Sequence, residues 1–278
     1  MITYKQLLFK KSLLKDYIRR EIPIPFKTDL NHPIFILGSS RSGTSILARV
    51  IGESNDVCSF TENNIVRRHM WRMVENQKIL ETEIPELRKT IARLSGVSQC
   101  KRVLEKTPGL SLLAKPLANY FSDAQFIHIV RDGRDVAFSM LKHDWIAREL
   151  QGGKVFWFDL LPKTYQQDWE NLDLWKKAIL RWAVYVSTAR EISNSDSYLE
   201  INYEELCREP NYIIDNILQF LNITISPNME NQIDNIKYHQ AKTWQERETE
   251  PEWINFYYEI IEYFDLANDK TSKALDRR

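Results

Sequence analysis

Eight residues, Gly38 to Ser45, carry the most distinctive chemistry of this chain: Gly-Ser-Ser-Arg-Ser-Gly-Thr-Ser. They match the phosphate-cradling frame G-x-x-x-x-G-K-[ST] at each defined position except the lysine, where Thr44 stands. The apolar run Ile34 to Leu37 precedes the loop and a helical pattern follows it, so free backbone N–H groups at a helix start can face an anion. Arg41 adds a fixed positive charge inside the turn. A triphosphatase needs the loop lysine and a metal-holding acidic residue at a neighbouring strand end; neither is present, so the loop suits a phosphate-like group without metal-bound triphosphate.

A second anion motif lies in Phe126 to Met140, FIHIVRDGRDVAFSM. An apolar strand ends in Arg131, and a helix begins just beyond it and carries Ser139. Arginine stands where a metal-binding aspartate is common, and its fork of donors matches the oxygens of an anion. Two separate anion sites imply a ligand with phosphates at two places.

Together these stretches resemble the sulfotransferases that use 3'-phosphoadenosine-5'-phosphosulfate (PAPS). In that family the first loop cradles the 5'-phosphosulfate, and an arginine followed eight residues later by a serine holds the 3'-phosphate, the spacing of Arg131 and Ser139. Lys106 in LEKTP and Tyr203 in INYEEL, followed by Glu209-Pro210, also fall in the family's order. The resemblance covers about residues 33 to 221. It implies PAPS as cofactor, bound by Ser40, Arg41, Ser42, Gly43, Thr44, Ser45, Arg131, Ser139 and Tyr203, with Tyr203 near the adenine.

Sulfuryl transfer needs a base for the acceptor proton and cations for the charge that develops on the leaving phosphate oxygen. The resemblance assigns the cations to Arg41 and Lys106. Arginine at the loop position is the choice of protein-tyrosine sulfotransferases; cytosolic sulfotransferases carry lysine there. The latter use a histidine two residues after their equivalent of Lys106, where this chain has Pro108. Glu62 is similar to the glutamate that protein-tyrosine sulfotransferases use as base, and takes that role here. His69 and His143 are the fallback bases. Asn64 replaces an arginine of the protein-tyrosine enzymes while Arg68 is retained, which weakens the case for an acidic peptide acceptor. The leading acceptor is a small metabolite, sulfated at a hydroxyl or an amine-type nitrogen. A protein or carbohydrate acceptor is the runner-up, and a P-loop kinase or nucleotide-binding regulator is the alternative class, opposed by Thr44 and the missing acidic residue.

The elements that must position these residues follow from periodicity. Strands are expected at Ile34 to Leu37, Val57 to Phe60, Arg102 to Glu105, Phe126 to Val130 and Tyr198 to Ile201, with helical patterns between them. This alternation predicts an α/β fold, a P-loop-like three-layer arrangement with a mostly parallel central sheet flanked by helices, and motif residues at the carboxyl ends of strands. Residues 31–278 read as one sulfotransferase domain. Residues 1–30 read as a helical extension, with Lys10, Lys11, Lys15, Arg19 and Arg20 among leucines, packed on the domain with a solvated basic face or, as the alternative, lying on a membrane surface, and then an extended Ile22-Pro-Ile-Pro25 connector.

With 38 basic and 38 acidic residues the chain has no net field to favour nucleic acid or an anionic membrane. No stretch has the length of a membrane span or the core of a signal peptide, and no Cys/His cluster has metal-ligand spacing. Three widely spaced cysteines, Cys58, Cys100 and Cys207, read as reduced thiols of a cytoplasmic protein. Residues 151 to 175 hold many aromatics, which either form a flap over the acceptor or pack as ordinary core.

Overall fold

The computed structural model describes residues 32–98, 100–153, 155–236 and 251–266. The basic helix and connector expected over residues 1–30 lie outside the described residues.

Five strands alternate with helices along the chain: β1 (Ile34–Leu37), α1 (Thr44–Gly52), β2 (Val57–Thr61), α2 (Asn64–Glu75), α3 (Leu80–Ser98), β3 (Arg102–Lys106), α4 (Ala114–Tyr120), β4 (Gln125–Val130), α5 (Gly133–Leu141), α6 (Asp144–Gln151), α7 (Lys163–Gln167), α8 (Leu174–Arg190), β5 (Tyr198–Asn202), α9 (Tyr203–Arg208), α10 (Pro210–Leu221), α11 (Pro227–Ile233) and α12 (Pro251–Tyr263). The strands form one sheet in the order β2-β3-β1-β4-β5, and each pairing is parallel. The fold is therefore the α/β class with a parallel sheet between helical layers.

A parallel sheet covered on both sides buries both faces of its strands, which is why β1 reads Ile-Phe-Ile-Leu without a polar break. Ile34 and Ile36 face one core with Leu104, Ile127, Ile129 and Ile201, closed by Leu47 and Ile51 of α1 and Ile214 and Ile217 of α10. Phe35 and Leu37 face the other with Val103, Phe126 and Val130, closed by Leu87 and Ile91 of α3 and by Ala178 and Trp182 of α8. Phe35 stacks on Phe126 and meets Phe121 edge-on, both at 5.3 Å between ring centres.

Two sequence readings resolve here. The large aromatics of residues 151–175 pack as core, since Trp157 and Trp169 are buried and meet edge-to-face at 5.5 Å and Trp175 stacks on Trp253 of α12 at 4.7 Å, while Phe156 and Phe158 are only partly buried. The cysteine reading is corrected. Cys58 and Cys100 are disulfide-bonded with Cα atoms 5.7 Å apart, and Cys207 alone is a buried free thiol. The pairing of β2 with β3 sets Cys58 beside Val103, so the segment entering β3 carries Cys100 into bridging range. Among the described residues no helix is long and apolar enough to cross a membrane.

Candidate active site

Each of the five strands delivers a candidate residue at its carboxyl end. The loop Gly38 to Gly43 follows β1, Glu62 follows β2, Lys106 ends β3, Arg131 follows β4 and Tyr203 follows β5. This is the edge at which open parallel sheets bind ligands.

The loop is held where side chains would not fit. A Cβ on Gly38 would come 2.7 Å from the carbonyl oxygen of Ile129, and one on Gly43 would come 2.5 Å from the Tyr203 ring; both glycines have positive φ, 144° and 97°. Ser111 pins the loop from below: its Oγ accepts from the Gly38 N–H at 2.8 Å and donates to the Gly38 carbonyl at 3.3 Å. Gly43 is the N-cap of α1 and supplies no capping side chain, so the helix start presents its free N–H groups to the loop. Ser42 and Thr44 are buried, Ser40 is partly buried, Ser45 is exposed, and the Ser42 hydroxyl lacks a hydrogen-bond partner.

The residues fall into two groups. In the first, Arg41 donates from Nε to Ser139 Oγ at 2.9 Å, and Arg131 donates from Nη1 to the Arg41 carbonyl at 3.3 Å. Arg41 has the left-handed backbone, φ 77°, that turns its side chain this way. Arg131 lies with its guanidinium carbon 4.6 Å over the Tyr203 ring, and its buried Nε has no partner. Partial burial and then the neighbouring Arg131 charge pull the Arg41 pKa down. In the second group, Lys106 Nζ donates to Glu62 Oε1 at 2.7 Å, and the Glu62 N–H donates to the Lys106 carbonyl at 2.8 Å. The structure thus brings Arg41, Ser139, Arg131 and Tyr203 together, and Lys106 with Glu62. No direct hydrogen bond or ion pair joins the two groups.

Supporting residues left no sequence signal. Trp182 on α8 donates from Nε1 to the Arg131 carbonyl at 3.1 Å, and its ring fills the space over Gly133. Glu204 accepts from the Asp132 N–H at 3.2 Å, and burial raises its pKa to about 7. Asp135 lies 3.5 Å from Arg131, and burial raises its pKa to about 6. Glu105 is buried beside Lys106, accepts from Thr107 Oγ1 at 2.6 Å, and is pushed to about 8 by desolvation.

The fallback bases sit elsewhere in the bonding scheme. His69 is engaged by Glu83 at 2.7 Å and Thr90 at 3.2 Å, a structural network with Arg72. His143 offers its carbonyl to the start of α6, receiving the Ile146 and Ala147 N–H groups.

A sequence profile described as the sulfotransferase family matches residues 33–227, so this chain belongs to the sulfotransferase family. No curated protein matches the sequence. Among solved structures, the chain is similar to a sulfotransferase domain from the curacin biosynthetic pathway, with 17% identity over 72% of this chain and 77% of that one, TM-score 0.51. It is also similar to the sulfotransferase domain of the Synechococcus PCC 7002 olefin synthase, with 16% identity, 86% and 98% coverage and TM-score 0.50. A third similar structure is the sulfotransferase STF9 of Mycobacterium avium, with 14% identity, 82% and 73% coverage and TM-score 0.52. At these identities the likeness is one of fold.

Proposed function

We propose that this chain transfers a sulfuryl group from PAPS to a hydroxyl or an amine-type nitrogen of a small metabolite. The observation that carries the reading is that the Arg41 guanidinium donates to Ser139 while Arg131 donates to the Arg41 carbonyl, beside a helix start that lacks a capping side chain. Two neighbouring cations whose charges act on each other favour an anion, and the unpartnered Arg131 Nε and Ser42 hydroxyl are donors such an anion would satisfy. The residues present fit a 3',5'-bisphosphate. The loop from Ser40 to Ser45 would hold the 5' side, Arg131 and Ser139 the 3' side, and Tyr203 would lie against the adenine.

The bound donor supplies the sulfuryl group and the phosphate leaving group. Glu62, as carboxylate, takes the proton from the acceptor hydroxyl or amine. The acceptor atom then bonds to sulfur as the bond from sulfur to the phosphate oxygen breaks. Lys106, buried at 3% exposure and already in contact with Glu62, sits beside the base and meets the negative charge that develops on the leaving oxygen. Arg41 is the first-choice cation of the sequence reading, and Lys106 the second. On α2, just after Glu62, Trp71 is exposed, with Arg67 5.0 Å over its ring and Phe156 at 6.5 Å, a short aromatic platform that suits a small acceptor.

A protein or carbohydrate acceptor is favoured by one observation: Arg67 and Arg68 of α2 have no ion-pair partner among the described residues. A cytoplasmic setting was expected partly from reduced cysteines, and the Cys58–Cys100 bond removes that support.

The test is incubation with PAPS and a panel of phenols, alcohols and amines in the presence of a chelator, read by mass spectrometry. The expected result is one added sulfo group on at least one acceptor. Absence of transfer across the panel, with a phosphoryl group moved from Mg-ATP instead, contradicts the reading.

A further inference from the structure

Cys58 and Cys100 sit at the amino end of the β2–β3 pair, opposite the edge that carries the site. Strand order puts β2 at the margin of the sheet, with β3 as its one neighbour. β3 is the fixed partner: the Arg102 guanidinium at its start donates to the His32 carbonyl at 2.7 Å, the Leu221 carbonyl at 2.6 Å and Gln125 Oε1 at 2.7 Å. β2 grows more exposed along its length, from buried Val57 and Cys58 through partly buried Ser59 and Phe60 to exposed Thr61. Beyond its ladder to β3, it leans on α1 through Ser59, whose Oγ donates to the Ala48 carbonyl at 3.2 Å. Its amino end is tied down by the Arg102 N–H on the Asp56 carbonyl at 3.0 Å, by the Lys101–Asp56 ion pair at 2.8 Å, and by the disulfide. An ion pair as exposed as this one contributes little, so the disulfide is the strong tie.

The bond also divides the candidate site. The covalent loop it closes, 42 residues in sequence separation, contains all of α2 and α3, and with them Glu62, Arg67 and Trp71. The phosphate loop, Arg131, Ser139 and Tyr203 lie outside it. Further along the same marginal strand, Glu62 meets Lys106 of β3 at 2.7 Å, a contact that depends on the two strands keeping their register. A base displaced by a fraction of its contact distance loses much of its effect, because the geometry of attack is what it supplies. The two cysteines differ in access: Cys58 is 8% exposed, whereas Cys100, in the segment entering β3, is only partly buried. A thiolate arriving from solvent therefore meets Cys100 first.

We propose that the Cys58–Cys100 bond is a redox latch on the acceptor side of the site, opened by a dithiol, so that reduction loosens the strand carrying Glu62 and lowers turnover while the nucleotide grip stays intact. Resting on the reading of Glu62 as base, this assigns that same site a form of regulation. A thiolate of the reductant attacks Cys100 Sγ, the bond to Cys58 breaks, and Cys58 leaves as thiolate. The second thiolate of the reductant then displaces Cys100 from the mixed disulfide. The protein gains two electrons and two protons as two thiols, and the reductant becomes a disulfide.

The test compares the full chain purified without reductant and after dithiothreitol. Thiols are counted by alkylation and mass spectrometry, turnover by sulfation, and affinity by calorimetry with adenosine 3',5'-bisphosphate. Reduction is expected to free Cys58 and Cys100 and to lower kcat by about threefold to tenfold, with bisphosphate affinity changed by less than about threefold. The double variant Cys58→Ser, Cys100→Ser is expected to show the kcat of the reduced chain and no response to dithiothreitol; Cys100→Ser alone serves should the double variant melt early. Equal kcat in the two redox states overturns the latch, as does a matching loss of nucleotide affinity or a response that persists in the double variant. Alkylation of Cys58 and Cys100 in the untreated chain overturns it too. If neither form moves a sulfuryl group, the transfer reading fails on its own, and hydrogen exchange on the same samples decides the latch. Faster exchange over residues 58–75 on reduction, with residues 126–141 unchanged, upholds it; equal exchange overturns it.

Discussion

Lys106 and Glu62 are joined twice, once through Nζ and Oε1 at 2.7 Å and once through the Glu62 N–H and the Lys106 carbonyl at 2.8 Å. The pairing of Thr61 with Lys106 in the β2–β3 ladder places the next residue, Glu62, over the strand end. The pair is asymmetric: the lysine side chain is 3% exposed and the glutamate 50%. A buried cation is thus held against a half-exposed carboxylate.

If Glu62 is the base, Glu62→Gln keeps the shape and the backbone link and removes the proton acceptor. The expected result is a fall in kcat of about 10²- to 10⁴-fold, with bisphosphate affinity changed by less than about threefold. Steady-state sulfation and calorimetry on the same sample measure the two quantities. An active variant would end the assignment.

Lys106 and Glu62 should not be independent in stability either. Removing the carboxylate leaves a buried ammonium without its partner, so Glu62→Ala is expected to cost about 1–2 kcal/mol, a modest figure because the glutamate is half exposed. Adding Lys106→Met should recover much of that loss while activity stays abolished. Urea denaturation of the two single variants and the double variant gives the coupling, and additive losses would contradict it.

Gly43 and Tyr203 interlock. Gly43→Ala drives a methyl to 2.5 Å from the ring at a φ of 97°, and is expected to cost about 1–3 kcal/mol and to weaken nucleotide binding. Tyr203→Ala in the same chain should return part of the stability and none of the binding. Thermal melts and nucleotide titrations of the pair separate these effects.

Glu105 makes stability fall with rising pH. Its folded pKa of about 8 lies above the ordinary value of 4.5, so between those values the folded chain binds more protons than the unfolded one. Stability from this group is complete below about pH 4.5 and is lost as pH climbs toward and past 8. Glu105→Gln removes the titration and is expected to flatten the decline in melting temperature between pH 6 and pH 9, by roughly a kcal/mol or more at the alkaline end. An unchanged slope would show that Glu105 is ionised throughout.

The five strands were legible in the sequence to within one residue at either end: β1 is the unbroken apolar run that a doubly covered parallel strand favours, and β2 to β5 show short apolar-rich runs with polar residues among them. The loop and the arginine motif were legible for the same reason: their backbone demands, two glycines at positive φ and a strand-to-helix turn, are written in residue type. Ser111 was not, since a serine in Pro108–Leu113 reaches the loop only through the fold. Nor was the Cys58–Cys100 bond, which depends on β2 lying beside β3 although 42 residues separate the cysteines. The direction of the Arg41 side chain was equally hidden, because it follows from a left-handed backbone that only the folded loop imposes on arginine.

The central claim is that a metal-free bisphosphate is gripped between the Gly43–Thr44 helix start and Arg131. A thermal melt in excess chelator, with adenosine 3',5'-bisphosphate against Mg-ATP in a parallel sample without chelator, tests it most directly. The expected result is a clear rise in melting temperature with the bisphosphate alone, abolished by Arg131→Ala. A rise confined to Mg-ATP, or one that survives Arg131→Ala unchanged, would contradict the claim.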